Sequence, residues 1–342
     1  MRIHSGFDGC GTAYQAGKNI GLPIEQYLAN EIDPFAIQIA KKNHPAIVQC
    51  GDIMYQYEFA NIDLMIAGSP CQGFSFAGKQ LAFDDPRSKL FFEWYKLFEK
   101  IKPTWFIFEN VRMKQEHQDV ISRYLGVQPI EINSSLVSAQ NRKRLYWTNI
   151  PVAQPEDRGV VLQDILENGF SDRDKSHCID ANYFKGGNLK SYFEKHRRQL
   201  VFSNEGLCHV GDADLKGHDS IKRVYHPKGK APTLTTMQGG HREPKVLCGA
   251  FRGRYYNNVK GKTTQHLEIR EDGKTNTLTT VQKDNVVTMD YKYYRKLTPI
   301  ECERLQTLPD NYTEGVSNTQ RYKMLGNGMT CAVIEHILKG LL

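Results

Sequence analysis

The first 150 residues alternate short apolar runs with helix-like stretches, and each apolar run breaks on glycine, proline or an acid. Ile3-His4-Ser5 breaks into the turn Gly6-Phe7-Asp8-Gly9-Cys10-Gly11, and Thr12 to Gly17 follows as a helix. Pro23 to Glu31 closes on Asn30-Glu31-Ile32-Asp33-Pro34, and a helix from Phe35 to Asn43 stops at Pro45. Ala46 to Cys50 ends at Gly51-Asp52-Ile53, Ile62 to Ala67 at Gly68-Ser69-Pro70-Cys71, and Thr104 to Phe108 at Glu109-Asn110-Val111. Between the last two, Ser88 to Lys100 carries Leu90, Phe91, Trp94, Leu97 and Phe98 on one helical face. This alternation predicts an α/β, doubly wound parallel sheet, whose ligand crevice lies outside the carboxyl ends of its strands.

The residues at those ends are therefore the candidates for chemistry. Proline fixes φ and offers no N–H, so the chain turns at Pro70 and projects Cys71 at the sheet edge, where a thiol is a candidate nucleophile. A free cysteine is more often a small buried hydrophobe, so Cys71 needs partners before it means anything. Glycines 9 and 11 let a ligand approach the backbone and the helix N-terminus, although a third glycine is missing at the dinucleotide-fingerprint spacing. Glu31 stands where an acid accepts ribose hydroxyls, and Asp52 can accept an exocyclic amine. With no GxxxxGK[ST] loop in the chain, the three positions predict an adenosine-containing cofactor other than a triphosphate. Glu109 can serve as an acid beside the thiol. If Asn141 to Trp147 is extended, Arg142 and Arg144 share a face and can hold a carboxylate, a phosphate or a base carbonyl.

Beyond about 166 the texture changes to glycine, threonine, lysine and histidine. Residues 166–290 hold 21 Lys/Arg against 15 Asp/Glu, so +6 of the net +7 lies there, as suits a polyanion such as nucleic acid. Two echoing stretches, 229–236 and 273–280, read as paired strand–turn units of a small β-rich domain. After 291, helical order returns: Thr298-Pro299-Ile300-Glu301 reads as a capped helix start, and Thr330 to Leu338 as a last helix. The domain expectation is 1–165, 166–290 and 291–342, the last returning to complete the first. The eight cysteines include no C-x-x-C pair, which points away from zinc ribbons and disulfide frameworks. With no apolar run of membrane-spanning length and no signal-like start, the expected location is cytoplasmic.

Taken together, the segments resemble the DNA (cytosine-5)-methyltransferase family across nearly the whole chain. The resemblance rests on Phe7-Asp8-Gly9-Cys10-Gly11, Glu31-Ile32-Asp33-Pro34, the run Gly68 to Ser75, Asp85-Pro86-Arg87-Ser88-Lys89-Leu90-Phe91 and Phe108-Glu109-Asn110-Val111. It continues through Gln140 to Arg144, the run Arg295 to Gln306 with Leu308-Pro309, and Gly326-Asn327-Gly328. Thr12 stands where many members carry another glycine, and Gly328 where serine is usual. The resemblance implies S-adenosyl-L-methionine as cofactor, held by Phe7, Asp8, Gly9, Gly11, Glu31, Ile32, Asp52, Ile53, Pro70 and Asn327. It implies that Cys71 adds to carbon 6 of a flipped cytosine, making carbon 5 enamine-like and able to take the sulfonium methyl. Glu109 would bond N3 and the exocyclic amine, Arg142 the base O2, and Arg144 would support the site or bind phosphate. Gln72, Ser75 and Gln140 would meet the DNA near the target, and 166–290 would be the target-recognition domain, with Thr233, Leu234 and Arg242 at the bases. No metal is implied. The expected partner is double-stranded DNA, the expected state a monomer, with a cognate restriction enzyme as a further candidate partner. Two rivals are a transfer-RNA methyltransferase of the same fold, which usually lacks so large a variable domain, and a non-catalytic DNA-binding regulator, which would have lost Cys71, Glu109 or Arg142.

Overall fold

The computed structural model describes residues 1–55, 59, 61–69, 89–202 and 294–342, together with strands at 209–212, 223–225, 245–246, 248–255, 263–270 and 285–287. It divides into two compact units. The first comprises Met1–Glu167, Ser171–Leu200 and Lys296–Leu342; the second comprises Asn168–Phe170 and Val201–Arg295. Residues 171–200 thus cluster with the first unit.

The first unit is built on a seven-stranded sheet: β1 (Arg2–Gly6), β2 (Gln26–Asn30), β3 (Ile47–Gln49), β4 (Leu64–Gly68), β5 (Trp105–Val111), β6 (Ile130–Asn133) and β7 (Lys143–Thr148). Their spatial order is β3-β2-β1-β4-β5-β7-β6. The first five strands run parallel, while β7 is antiparallel to both β5 and β6. The parallel strands read as near-continuous apolar runs because helices cover both faces; Leu64, Met65, Ile66 and Ala67 are all fully buried.

The helices of this unit are α1 (Thr12–Asn19), α2 (Pro34–Asn43), α3 (Lys89–Ile101), α4 (Gln115–Leu125), α5 (Leu162–Ile165), α6 (Leu189–Lys195), α7 (Pro299–Leu305), α8 (Asn318–Asn327) and α9 (Cys331–Leu338). Asp33 caps α2 by accepting from Phe35 N at 3.0 Å, with Pro34 in the first turn. On α3, Phe91 and Trp94 are fully buried, with Leu90, Leu97 and Phe98 packed against the same core. A left-handed Lys102 and Pro103 end that helix. The capping box at α7 forms as its sequence predicts: Thr298 Oγ1 accepts from Glu301 N, and Glu301 Oε2 accepts from Thr298 N. Helix α9 returns to the sheet with Val333, Ile334, Ile337 and Leu338 fully buried, and Glu335 Oε1 accepts from Asn19 Nδ2 of α1.

The structure departs from the sequence reading at two ends. β5 runs on through Glu109, Asn110 and Val111, so the acid sits inside the ladder rather than after it. Gly326 and Asn327 close α8, a helix the sequence reading did not include.

The second unit, by itself, shows antiparallel pairing of 248–255 with 263–270 in unbroken register, from Cys248 opposite Arg270 to Tyr255 opposite Thr263. Residues 285–287 pair on the other side of 248–250. A separate three-stranded sheet joins 209–212, 223–225 and 245–246. The two echoing stretches, 229–236 and 273–280, lie outside the described residues, as do Thr233, Leu234 and Arg242.

Candidate active site

The catalytic candidates assemble where β4, β5 and β7 lie side by side. Gly68, the last residue of β4, is in register with Glu109, and Glu109 is opposite Tyr146 on β7. Alternation on β7 puts Arg144 on the face of Tyr146 and Glu109, and Arg144 Nε lies 3.1 Å from Glu109 Oε1. The second carboxylate oxygen faces β4: a methyl group built on Gly68 would stand 3.0 Å from Glu109 Oε2. Glycine at 68 therefore leaves room for the acid beside the strand that leads to Cys71. Asn110 Nδ2 donates to Ser69 Oγ at 3.1 Å and ties the two strand ends together. Pro70, Cys71, Gln72 and Ser75 lie outside the described residues.

Glu109 is buried, and burial holds its carboxyl above the ordinary carboxylate range. The guanidiniums of Arg144 and, more weakly, Arg142 oppose that rise without cancelling it. The acid is biased toward its protonated form.

The two arginines divide the work differently from the sequence expectation. Arg142, expected at the base, is 2% exposed. Its Nη1 donates to Ile179 O at 3.1 Å and contacts Cys178 Sγ at 3.3 Å. Its Nη2 donates to Gly328 O at 2.8 Å and Gly326 O at 3.2 Å. Its terminal donors are taken up by backbone carbonyls, so Arg142 pins the Gly326-Asn327-Gly328 segment, and Arg144 is the arginine on the acid. Gln140, expected at the DNA, lies inside the fold. It is fully buried, with Nε2 on Leu305 O at 3.5 Å and Oε1 accepting from Ile179 N at 3.4 Å. Gly326 is required by this packing, since a methyl group there would fall 2.2 Å from Asp180 C.

The glycine loop over β1 forms the other half of the site. Phe7, Gly9 and Gly11 all have left-handed φ, of 57°, 62° and 81°. Such a φ is unfavourable for phenylalanine and easy for glycine. Phe7 packs against the core, and a methyl group on Gly9 would meet nothing within 4 Å, so the loop is open there. Glu31 Oε2 accepts from Gly9 N, and Oε1 from Ile32 N and Asp33 N, each at 2.8 Å. Ile32 projects outward, 68% exposed, while Ile53 is buried against Gly6. Asp52 Oδ1 accepts from Met54 N, fixing the turn after β3. Asn327 is exposed at the end of α8, and a methyl on the next residue, Gly328, would stand 4.0 Å from Thr12 Oγ1.

Asp8 is turned behind the loop, where its Oδ1 accepts from Tyr27 OH at 2.7 Å and its Oδ2 is buried without a hydrogen-bond partner. Burial pushes its carboxyl up to about 6, opposed by the neighbouring Ser5 and Tyr27 hydroxyls. Asp8 shapes the loop from within rather than lining it. Sequence reasoning missed the matching support from Tyr312. Its hydroxyl donates to Cys10 O at 2.9 Å and meets His44 Nε2 at 3.0 Å. Gln306 was also missed; its Nε2 donates to Leu325 O at 2.6 Å and lies 3.3 Å from Gly328 O. Gln306 stands inside a recognisable segment and Tyr312 just beyond it, but nothing local signals that Tyr312 reaches a loop some three hundred residues away.

The strand order assigns the class: five parallel strands, an antiparallel β7 inserted beside β5, and a glycine loop leading from β1 into α1 make a Rossmann-like methyltransferase. Solved structures share the architecture. The Dnmt2 methyltransferase of S. pombe superposes with a TM-score of 0.51 at 15% identity, over 100% of this chain and 99% of that one. A mutant of Spodoptera frugiperda DNMT2 gives 0.55 at 17%, covering 99% of both chains.

The chain belongs to the C-5 cytosine-specific DNA methylase family, whose profile matches residues 1–342, and it is a DNA cytosine-5 methyltransferase. The orphan methyltransferase M.SPBetaI of Bacillus phage SPbeta is 30% identical over 100% of this chain and 97% of its own length. The type II methyltransferase M.BanI of Aneurinibacillus aneurinilyticus is 27% identical over 96% of this chain and 91% of its own. No helix among the described residues is long and apolar enough to cross a membrane.

Proposed function

We propose that this chain methylates carbon 5 of a cytosine in a specific duplex DNA sequence through a covalent Cys71 adduct, with S-adenosyl-L-methionine as methyl donor. The observation that carries the reading is the Glu109–Arg144 pair in register with the strand that ends at Gly68.

The glycine loop fits the donor. Its left-handed, unobstructed Gly9, the first turn of α1 and the Glu31 carboxylate can accept a nucleoside and an amino-acid moiety. Three backbone N–H groups hold Glu31, yet a carboxylate offers about four lone-pair sites and can still accept from ribose hydroxyls. Ile32 and Ile53 would flank the adenine, with Asp52 near its exocyclic amine and Pro70 and Asn327 bordering the reacting end. When bound, the donor supplies an electrophilic methyl carbon.

The target base must leave the helix, at a cost of a few kcal/mol. Arg144 would hold the base O2 and keep Glu109 oriented. Glu109, whose hold on its proton is strengthened by burial, would donate through Oε2 to N3. The Cys71 thiolate adds to carbon 6, the ring π pair shifts toward N3, and the Glu109 proton neutralises it. Carbon 5 is then nucleophilic enough to take the methyl group. Loss of its proton returns an electron pair to the ring, and Cys71 leaves as thiolate. The second unit would select the sequence, with Thr233, Leu234 and Arg242 at base edges. The chain would act as a monomer in the cytoplasm of its host, as a type II modification enzyme beside a restriction enzyme or as an orphan.

Incubation with labelled S-adenosyl-L-methionine and either duplex DNA or transfer RNA, followed by bisulfite sequencing, tests this. Label on DNA at one recurring cytosine context is expected; label on transfer RNA alone would contradict it.

The division between the arginines gives a sharper expectation. Arg144→Ala should lower kcat by about 10²-fold or more, through loss of a preorganised donor at the base, with the melting temperature little changed. Arg142→Ala should instead destabilise the fold by about 3 kcal/mol, because it leaves buried carbonyls unpaired. Paired kinetics and thermal unfolding of the two variants separate the roles. A stable Arg142→Ala protein with a pure kcat defect would reverse the assignment.

A further inference from the structure

The segment Tyr183–Arg198 carries five basic residues, Lys185, Lys190, Lys195, Arg197 and Arg198, against the single acid Glu194. More than half of the chain's net +7 is thus concentrated in a short stretch. The sequence reading put it inside the 166–290 target-recognition stretch, but it clusters with the first unit. Lys185, Lys195, His196 and Arg197 are exposed.

The stretch is built, not merely solvated. His196 and Arg198 hold left-handed φ of 50° and 58°, a conformation that non-glycine residues adopt only when their surroundings impose it. Arg198 Nη1 donates to Gly186 O at 2.7 Å, closing the segment on itself. The next residue, Gln199, is fully buried and donates from Nε2 to Tyr192 OH at 2.9 Å. The segment is also rooted at the active site. Arg197 Nη2 lies 3.3 Å from Asp180 Oδ2. The Asp180 backbone packs on Gly326, and the preceding carbonyl, Ile179 O, accepts from Arg142.

We propose that Tyr183–Arg198 is a phosphate-contacting surface of the catalytic unit that grips the DNA backbone beside the flipped base, independently of sequence. The inference rests on the DNA activity stated above. Its chemistry is that of three exposed cations, Lys185, Lys195 and Arg197, on the segment that follows the Ile179 carbonyl bonded by Arg142. Lysines act there as point charges on phosphates, which position a duplex without reading it.

The test compares wild type with the Lys185→Gln/Lys195→Gln double variant and, separately, Arg197→Gln. Affinity is measured by fluorescence anisotropy over a salt series, on a duplex that wild type methylates and on one that it does not. Each lost phosphate contact should make the slope of log K against log salt shallower by about 0.9, so by about 1.8 for the double variant. Affinity should fall by about tenfold at low salt, by the same factor on both duplexes. Melting temperature and S-adenosyl-L-methionine binding should match wild type. An unchanged slope, or a loss confined to the methylated duplex, would overturn the proposal. A wild-type protein that binds neither duplex would sink the DNA reading itself, and the same titration shows it.

Discussion

Cys71→Ala is expected to abolish methyl transfer, lowering turnover by about 10⁴-fold or more, while S-adenosyl-L-methionine still binds. The size follows from the chemistry. Carbon 5 of cytosine is too weak a nucleophile without addition at carbon 6, and no oxyanion hole or acid can replace that bond. Binding should survive because the donor's proposed contacts lie mainly on other elements: the glycine loop after β1, Glu31 after β2 and Asp52 after β3. Turnover and calorimetric titration on the same preparation check both halves. Residual activity within about tenfold of wild type would remove Cys71 from the mechanism.

Glu109→Gln is expected to lower kcat by about 10²- to 10⁴-fold, the range for loss of a positioned proton donor. Glutamine keeps the shape beside Gly68 and can still bond the base, but it cannot pass a proton to N3. The pH profile gives the sign. Burial raises the Glu109 pKa, so the proton is present below that raised value and lost as pH climbs through it. Wild-type kcat should therefore fall on an alkaline limb, and that limb should vanish in Glu109→Gln. A limb that persists unchanged would assign it to another group.

Much of the candidate site was legible because the apolar runs of the parallel strands break on glycines and acids. Gly9, Gly11, Glu31, Asp52 and Glu109 stand out one by one as the residues that break apolar runs; Cys71, which a proline turn presents, lies outside the described residues. Side-chain direction was not legible. Arg142 and Arg144 are equivalent by alternation, and what separates them is the carbonyl cluster of Gly326 and Gly328, nearly two hundred residues away. Gln140 shares that fate, since its partners are Leu305 and Ile179. Asp8 reads as a loop acid but is captured by Tyr27 on the neighbouring strand. Helix α8 escaped notice because its sequence, Asn318 to Asn327, is polar apart from Tyr322, Met324 and Leu325, and its stop is an Asn-Gly step that also suits a turn. The antiparallel β7 follows no crossover helix, so periodicity alone could not orient it.

The most direct test of the covalent mechanism is trapping on duplex DNA with 5-fluorocytosine at the target position. Fluorine cannot leave as the carbon 5 proton does, so the Cys71 bond should persist. Denaturing gels and peptide mass spectrometry are expected to show wild-type protein attached to the DNA through the peptide containing Cys71, and no adduct with Cys71→Ala. No wild-type adduct on DNA that the enzyme demonstrably methylates, or an undiminished adduct with Cys71→Ala, would contradict the mechanism.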